Sequence, residues 1–403
     1  MAFDGEGMEG GTMKVREKLD CMSKPIYLDY NATTSHAPEV VAAMRPFLEE
    51  HFGNPSSAHV YGRVMREAVD KARIQVADLL GVSPDEIVFT SGGTEANNYA
   101  IKGTALARKD RGNHIITSAI EHPAVLEVCA WLEKQGFEIT RLSVDATGLV
   151  YPEQLRKVIT SRTVLVSVMH ANNEVGTVQP IRELADIAHD HGALMHTDAA
   201  QSVGKIPAVV DRLGVDLLSV AGHKLYAPKG VGALYIKQGV SIEKFMHGAG
   251  HEQGRRAGTE NVLEIVGLGA ACELARRTGA QTHAHLKAVT NLLWDSLNAA
   301  LPDVRLNGHP TQRLPNTLNV SFRGVAGHRL LETIGQEVAA SAGSACHSCA
   351  TTISPVLRAM GVPAEWAHGA VRLTTGRFTT PAEIAAAATS IVRGVKACRD
   401  EGA

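Results

Sequence analysis

The chain has 403 residues, with 40 Lys+Arg against 42 Asp+Glu and a formal charge of -2. At roughly 100–200 residues per domain, this length implies two or three domains. The near-neutral balance gives no general reason to hold a polyanion, so no nucleic-acid partner is expected and any anion site must be local. No run approaches ~20 uninterrupted apolar residues, so no membrane span is expected. Aromatics are few (3 Trp, 7 Tyr, 8 Phe), which leaves the core to Val, Leu, Ile and Ala. Residues 1–25 read as a flexible lead, Gly-rich and mixed in charge, without the apolar or Arg-rich pattern of a targeting segment. Six cysteines make no disulfide scaffold and point to a reducing, cytoplasmic setting.

Ile26-Tyr27-Leu28 is the first strand candidate. Ile87–Thr90 reads as a strand, Gly92-Gly93 as a turn, and a helix starts near Thr94. His114–Ser118 is a strand, with a helix after Pro123. Val164–Met169 is a buried strand, Ile181–His191 a helix, and Ala193–Thr197, Leu217–Val220 and Gly232–Ile236 are further strands. This alternation predicts an α/β fold with a mostly parallel sheet covered by helices on both faces. Residues 261–300 are largely helical. A shorter α/β stretch follows, with strands at Asn316–Phe322 and Val371–Thr375, a helix from Gly327, and a last helix over Pro381–Ala397. The change of pattern places a boundary near 275–285, with the N-terminal stretch returning to the second unit: 34–280 as the large domain, 26–33 plus 281–403 as the small one.

Five features carry chemistry. Lys224, in Gly222-His223-Lys224, follows a buried strand, where desolvation favours a neutral amine able to form a Schiff base; the plain alternative is a surface lysine at a strand end. Asp198 ends the strand before Ala199-Ala200-Gln201, at the carboxyl edge where open α/β sheets place ligands. It could pair with a protonated ring nitrogen or merely cap a helix. Thr90-Ser91-Gly92-Gly93-Thr94-Glu95 could cradle one phosphate on backbone N–H groups; it lacks the ending of an NTPase loop and the spacing of a dinucleotide fingerprint. His122, before Pro123, could stack on an aromatic cofactor, transfer protons as a catalytic group, or merely cap the helix. Cys346, in a small polar stretch beside His347, reads as an accessible thiol stabilised as thiolate. The Cys346-x-x-Cys349 spacing raises a zinc or redox alternative, with His347 and His368 at hand, but no second Cys pair is near and no metal is expected. Together the inventory matches pyridoxal 5'-phosphate (PLP) and a thiol-transfer reaction.

Tyr27–Thr34, Gly53–Ser57, Thr90–Asn98, Asn172–Gly176, His196–Gln201, Gly222–Lys224 and Gly343–Ser348 occur in the order found in class V, fold-type I PLP enzymes. Within that class the chain resembles the cysteine desulfurases of the NifS/IscS kind and the related selenocysteine lyases, over about residues 26–395. The resemblance implies a seven-stranded, mostly parallel sheet with a smaller α/β domain. It implies that Lys224 tethers PLP, Asp198 faces the pyridine nitrogen, His122 stacks on the ring, and Asn173 and Gln201 lie near the phenolic oxygen. Gly93, Thr94 and His223 would hold the phosphate, and Thr259 would reach the phosphate of a partner subunit in a homodimer. Arg372 would grip the substrate carboxylate and Cys346 would take sulfur from L-cysteine, leaving L-alanine and a persulfide for an acceptor protein; L-selenocysteine is the alternative substrate. Three departures stand out. Ala221 replaces a serine that often binds the phosphate. His347 replaces the usual threonine after the cysteine, as in selenocysteine lyases and some NifS-like proteins. Cys349 is extra.

Overall fold

The protein is described from a computed structural model that covers residues 24–342 and 353–400. Short apolar runs such as Ile87-Val-Phe-Thr, Thr163-Val-Leu-Val-Ser and Leu217-Leu-Ser-Val-Ala have every residue buried. A strand apolar on both faces is stable only with helices on both sides, so these runs form the middle layer of a three-layer unit.

Twelve strands are named here in chain order: β1 (Ile26–Tyr27), β2 (Ile87–Thr90), β3 (His114–Ser118), β4 (Glu138–Leu142), β5 (Thr163–Ser167), β6 (Leu194–Asp198), β7 (Leu217–Ala221), β8 (Gly232–Ile236), β9 (Val304–Asn307), β10 (Thr317–Phe322), β11 (Val338–Ala339) and β12 (Ala370–Thr374). The large sheet has seven strands in the order β2-β8-β7-β6-β5-β3-β4. Only β8 in this sheet is antiparallel to its neighbours β7 and β2. The parallel pairs β3–β5, β5–β6 and β6–β7 bring four carboxyl ends to one edge. A smaller sheet, β12-β10-β9, is antiparallel, and β1 pairs with β11 in parallel.

One hydrophobic core lies between the large sheet and helices Val60–Leu80 and Val262–Ala300, joining Val69, Val76 and Leu80 to Ile265, Leu268 and Leu218. A second packs Leu318, Val320 and Val371 of the small sheet on Val289, Leu293 and Leu297, on Ile391 of helix Pro381–Asp400, and on Leu28. Fully burying one such Leu or Ile is worth about 1.5–3 kcal/mol. The 39-residue helix Val262–Ala300 therefore serves both cores, its first half in one and its second half in the other. Residues 275–285, where the sequence pattern changes, lie inside this continuous helix.

The strand expected over Val164–Met169 runs over Thr163–Ser167, and Asp198 is the last residue of β6. Strand β4 was not read from the sequence; Glu138-Ile-Thr-Arg-Leu is an edge strand with exposed polar positions and so lacks a continuous apolar run. Among the described residues, no helix is long and apolar enough to cross a membrane.

Candidate active site

The carboxyl edge of the large sheet opens into a cavity of about 590 Å³. His122 follows β3, Asn173 follows β5, Asp198 ends β6 and Lys224 follows β7, so parallel pairing alone sets four chemically distinct side chains around one space. Gly93, Thr94, Gln201 and His223 also line it, as does Arg372 of β12.

Asp198 is fixed by two donors. Asn97 Nδ2 gives a hydrogen bond of 2.7 Å to Oδ2, and the Ala200 N–H one of 2.9 Å to Oδ1. These fix the orientation of the carboxylate, with a second acceptor direction left on each oxygen. His122 caps helix Pro123–Lys134, its Nδ1 accepting from the Ala124 N–H at 3.1 Å, and its ring lines the cavity. Acceptance at Nδ1 puts the ring proton on Nε2. Burial pulls the His122 pKa below the imidazole range; Asp198 opposes this and Lys224 adds to it. The ring is thus neutral and flat-faced at neutral pH, suited to stacking. His223 is pulled down to about 4 by burial and by the cations Lys224, Lys229 and Lys205. A phosphate dianion beside it would supply the opposing charge.

Lys224 sits in the turn Gly222–Lys224 directly after β7 and is half-buried. Its Nζ donates to the backbone carbonyl of Asn31 and, at 2.8 Å, to that of Ala32. The amine is held at the cavity wall by neutral acceptors.

The strand-to-helix turn after β2 has the form of an anion cradle. Gly92 has φ 146°, ψ -178°, a conformation open to glycine, and starts helix Gly93–Ala107. No side chain among the described residues caps this helix. Its first N–H groups therefore face the cavity without a side-chain acceptor. A methyl group at Gly93 would come within 3.1 Å of the Ala221 Cβ, so the backbone can approach closely there. Ala221 supplies packing in the cradle but no hydroxyl.

Arg372 is 2% exposed. Its Nη2 donates to Asp29 Oδ1 at 2.8 Å and to Ser341 Oγ at 3.1 Å, and Nη1 to the Asn173 carbonyl at 3.1 Å. Nε is buried and has no hydrogen-bond partner among the described residues.

Sequence reasoning missed four residues that hold these groups. Asn31 joins both cores: Nδ2 donates to Thr317 Oγ1 and the Asn173 carbonyl, and Oδ1 accepts from Asn316 and Lys205. Asn97 holds Asp198, Asp29 holds Arg372, and Lys205 bonds Gln201 Oε1. Asn31 and Asn97 lie inside motif stretches read from the sequence, but a neutral amide gives no spacing signal of its own. Thr259 is exposed and does not line the cavity of its own chain. Cys346 lies outside the described residues, as do His347 and Cys349.

The model of the aminotransferase class-V family matches residues 26–386. The chain belongs to the class-V aminotransferase family. It is 50% identical over 364 residues to a cysteine desulfurase IscS of Dictyoglomus turgidum, covering 90% of this chain and 92% of that one. It is 49% identical over 369 residues to the cysteine desulfurase IscS of Methanosarcina thermophila, covering 91% of each. Among solved structures, a NifS-like protein superposes with a TM-score of 0.86 at 38% identity, covering 92% of this chain and 99% of the other. Class-V aminotransferases of this kind are PLP-dependent. The cavity fits that group on its own chemistry: an amine, a carboxylate with free acceptor directions, a neutral imidazole face and uncapped helix amides surround a space large enough for a substituted pyridine and one phosphate.

Proposed function

We propose that this chain is a PLP-dependent cysteine desulfurase, converting L-cysteine to L-alanine and passing the sulfur through a persulfide on Cys346 to an acceptor protein. The observation that carries the proposal is the convergence of Lys224, Asp198, His122 and the uncapped start of helix Gly93–Ala107 on one cavity that Arg372 also lines. The names of the relatives at about 50% identity favour L-cysteine over L-selenocysteine as substrate.

PLP, when bound, supplies an electron sink for the bond-breaking at the substrate's Cα and Cβ. This chain's residues do the rest. Lys224 would tether the cofactor and, with its amine free, would take and return the Cα proton. Asp198 would keep a proton on the ring nitrogen, and the neutral His122 ring would stack on the cofactor. Asn173 and Gln201 would serve its phenolic oxygen; Gly93, Thr94 and His223 would hold the phosphate. Arg372 receives the substrate carboxylate through its guanidinium. The Cys346 thiolate attacks the substrate sulfur. The S–Cβ bond breaks, an S–S bond forms, and the electron pair left on carbon takes a proton to give L-alanine, so L-cysteine plus the Cys346 thiol becomes L-alanine plus the Cys346 persulfide.

The same reading includes a homodimer in which Thr259, exposed on its loop, serves the phosphate of the partner's site. It also includes the division into 34–280 and 26–33 plus 281–403, and a reducing cytoplasmic setting. The test is mass spectrometry of the holoenzyme after one turnover with L-cysteine. A gain of one sulfur atom on the peptide containing Cys346 is expected. Cys346→Ala should keep the bound cofactor and lose alanine formation from L-cysteine. Wild-type sulfide release by Cys346→Ala would remove the thiol from the reaction.

A further inference from the structure

Lys205 lies beneath the cavity, 7% exposed, and the reaction above assigns it nothing. Its Nζ donates to Gln201 Oε1 at 2.9 Å and to Asn31 Oδ1 at 3.0 Å. Both acceptors are uncharged amide oxygens. Among the described residues no carboxylate pairs with it, and the charged groups that act on it are the cations Lys224 and Arg372. A neutral amine has two N–H groups, the number these two acceptors require. Burial and the two cations pull the Lys205 pKa well below the ordinary lysine range. The side chain therefore orients its neighbours without placing a further charge in the site.

What it orients follows from the donors around it. The Asn31 amide has one orientation, because Nδ2 donates to Thr317 Oγ1 at 2.9 Å and to the Asn173 carbonyl at 3.2 Å. Its Oδ1 must then face Lys205. The Asn31 backbone carbonyl accepts from Gln201 Nε2 at 3.0 Å and also from Lys224 Nζ. The Gln201 amide is thus clamped from two sides, nitrogen toward Asn31 and oxygen toward Lys205. One Nε2–H is spent on Asn31, and the second is left for the cavity that Gln201 lines.

We propose that Lys205 is a positioning residue, fixing the Gln201 amide so that an N–H faces the phenolic oxygen of PLP and fixing the Asn31 segment on which the Lys224 amine rests. The proposal depends on the functional reading above. Without Lys205 the buried Oε1 of Gln201 has no donor, and the amide swings out of register. A donor on the phenolic oxygen disfavours the protonated form of the adjacent cofactor–lysine chromophore. Losing that donor therefore moves the chromophore's titration to higher pH. The other titratable or charged groups facing that chromophore are Asp198, His122, His223, Lys229, Glu95 and Arg372, and none of them is altered by the variants below.

The experiment is a pH titration of the visible absorbance of the PLP-loaded holoenzyme, in wild type, Lys205→Met, Gln201→Leu and the double variant, each checked for folding by its thermal melt. Lys205→Met and Gln201→Leu should each raise the midpoint by about 0.7 pH unit, the size of one net hydrogen bond. The double variant should match Gln201→Leu alone, because Lys205 acts through Gln201. Lys205→Gln, which keeps two N–H donors on a side chain one atom shorter, should titrate between wild type and Lys205→Met. Additive shifts in the double variant, or an unmoved midpoint in Lys205→Met, overturn the proposal. If Lys205→Met does not fold, an unmoved midpoint in Gln201→Leu, or a Lys205→Gln midpoint above that of Gln201→Leu, overturns it. A wild-type protein that takes up no PLP and shows no visible band overturns the functional reading itself, which is a different result.

Discussion

Two sides of the same cavity are built in different ways. On the side of Asp198, His122 and Lys224, each group leaves the end of a strand in one sheet, and backbone register does the positioning. On the side of Arg372, the guanidinium is held by Asp29, Ser341 and Asn173, and Asp29 is 343 positions away in sequence. Asn31 stitches that side to the small sheet through Thr317, Asn316 and Thr374. Single substitutions of Asp198, His122 or Lys224 are therefore expected to change activity far more than stability. The Arg372 side couples recognition to the junction of two cores, so there the same change should disturb both.

Four substitutions sharpen or break this contrast. Lys224→Ala has the largest effect: the visible absorbance of tethered cofactor and all turnover are lost, while the unliganded protein's unfolding free energy changes by under about 1 kcal/mol. A preserved visible band would refute the tethering site. Arg372→Ala comes next. Loss of a charge-assisted grip should raise KM for L-cysteine roughly 100-fold, and denaturant unfolding should also shift because Asp29 is left unpaired. An unchanged unfolding midpoint would dissolve the proposed coupling. Asn31→Ala removes four side-chain hydrogen bonds and should cost about 2–4 kcal/mol in urea unfolding, with a smaller effect on KM than Arg372→Ala.

The fourth substitution falls on Glu121, beside His122 on the sheet-edge side, and bears only on the pH dependence of stability. The residue is 4% exposed and its carboxyl group accepts from Ser118 and from the Met169 N–H, while Oε2 has no partner among the described residues. Burial pushes its pKa up to about 8, with Asp198 adding to the rise. Because the folded value lies above the unfolded one, the native state holds a proton that the unfolded chain has released. Stability from this group is full below the unfolded value near 4.5 and declines as pH rises toward about 8. Glu121→Gln, neutral throughout, should flatten the fall in unfolding free energy between pH 5 and pH 8 by an amount on the order of a few kcal/mol. A slope identical to wild type would show that Glu121 is ionised in the folded protein.

The sequence made the sheet-edge half of the site legible because its residues stand where a buried apolar run ends. Val-Leu-Val or Leu-Leu-Ser-Val announces a strand, and the polar residue after it must sit at the edge. The helices Pro38–Glu49 and Val60–Leu80 were not read, because their apolar faces are broken by charge and a proline (Pro46). The Arg372 half was legible only as a family resemblance. Nothing local to Asn31, Asp29 or Lys205 signals a partner 174 or more positions away. Neutral amides and a buried lysine have no periodicity, and their roles appear only when the chain closes on itself. Thr259 and Cys346 remain readings of the sequence, the first exposed in this chain and the second outside the described residues.

The pairing of β1 with β11, and of Asn31 with Thr374, has a consequence for biosynthesis. The segment around Asn31 leaves the ribosome early, yet its partners Asn316, Thr317 and Thr374 are translated in the last third of the protein. The large sheet and most of its covering helices can assemble on the nascent polypeptide while the segment that holds Lys224 still lacks these partners. Completion of the cofactor pocket thus waits for the end of translation.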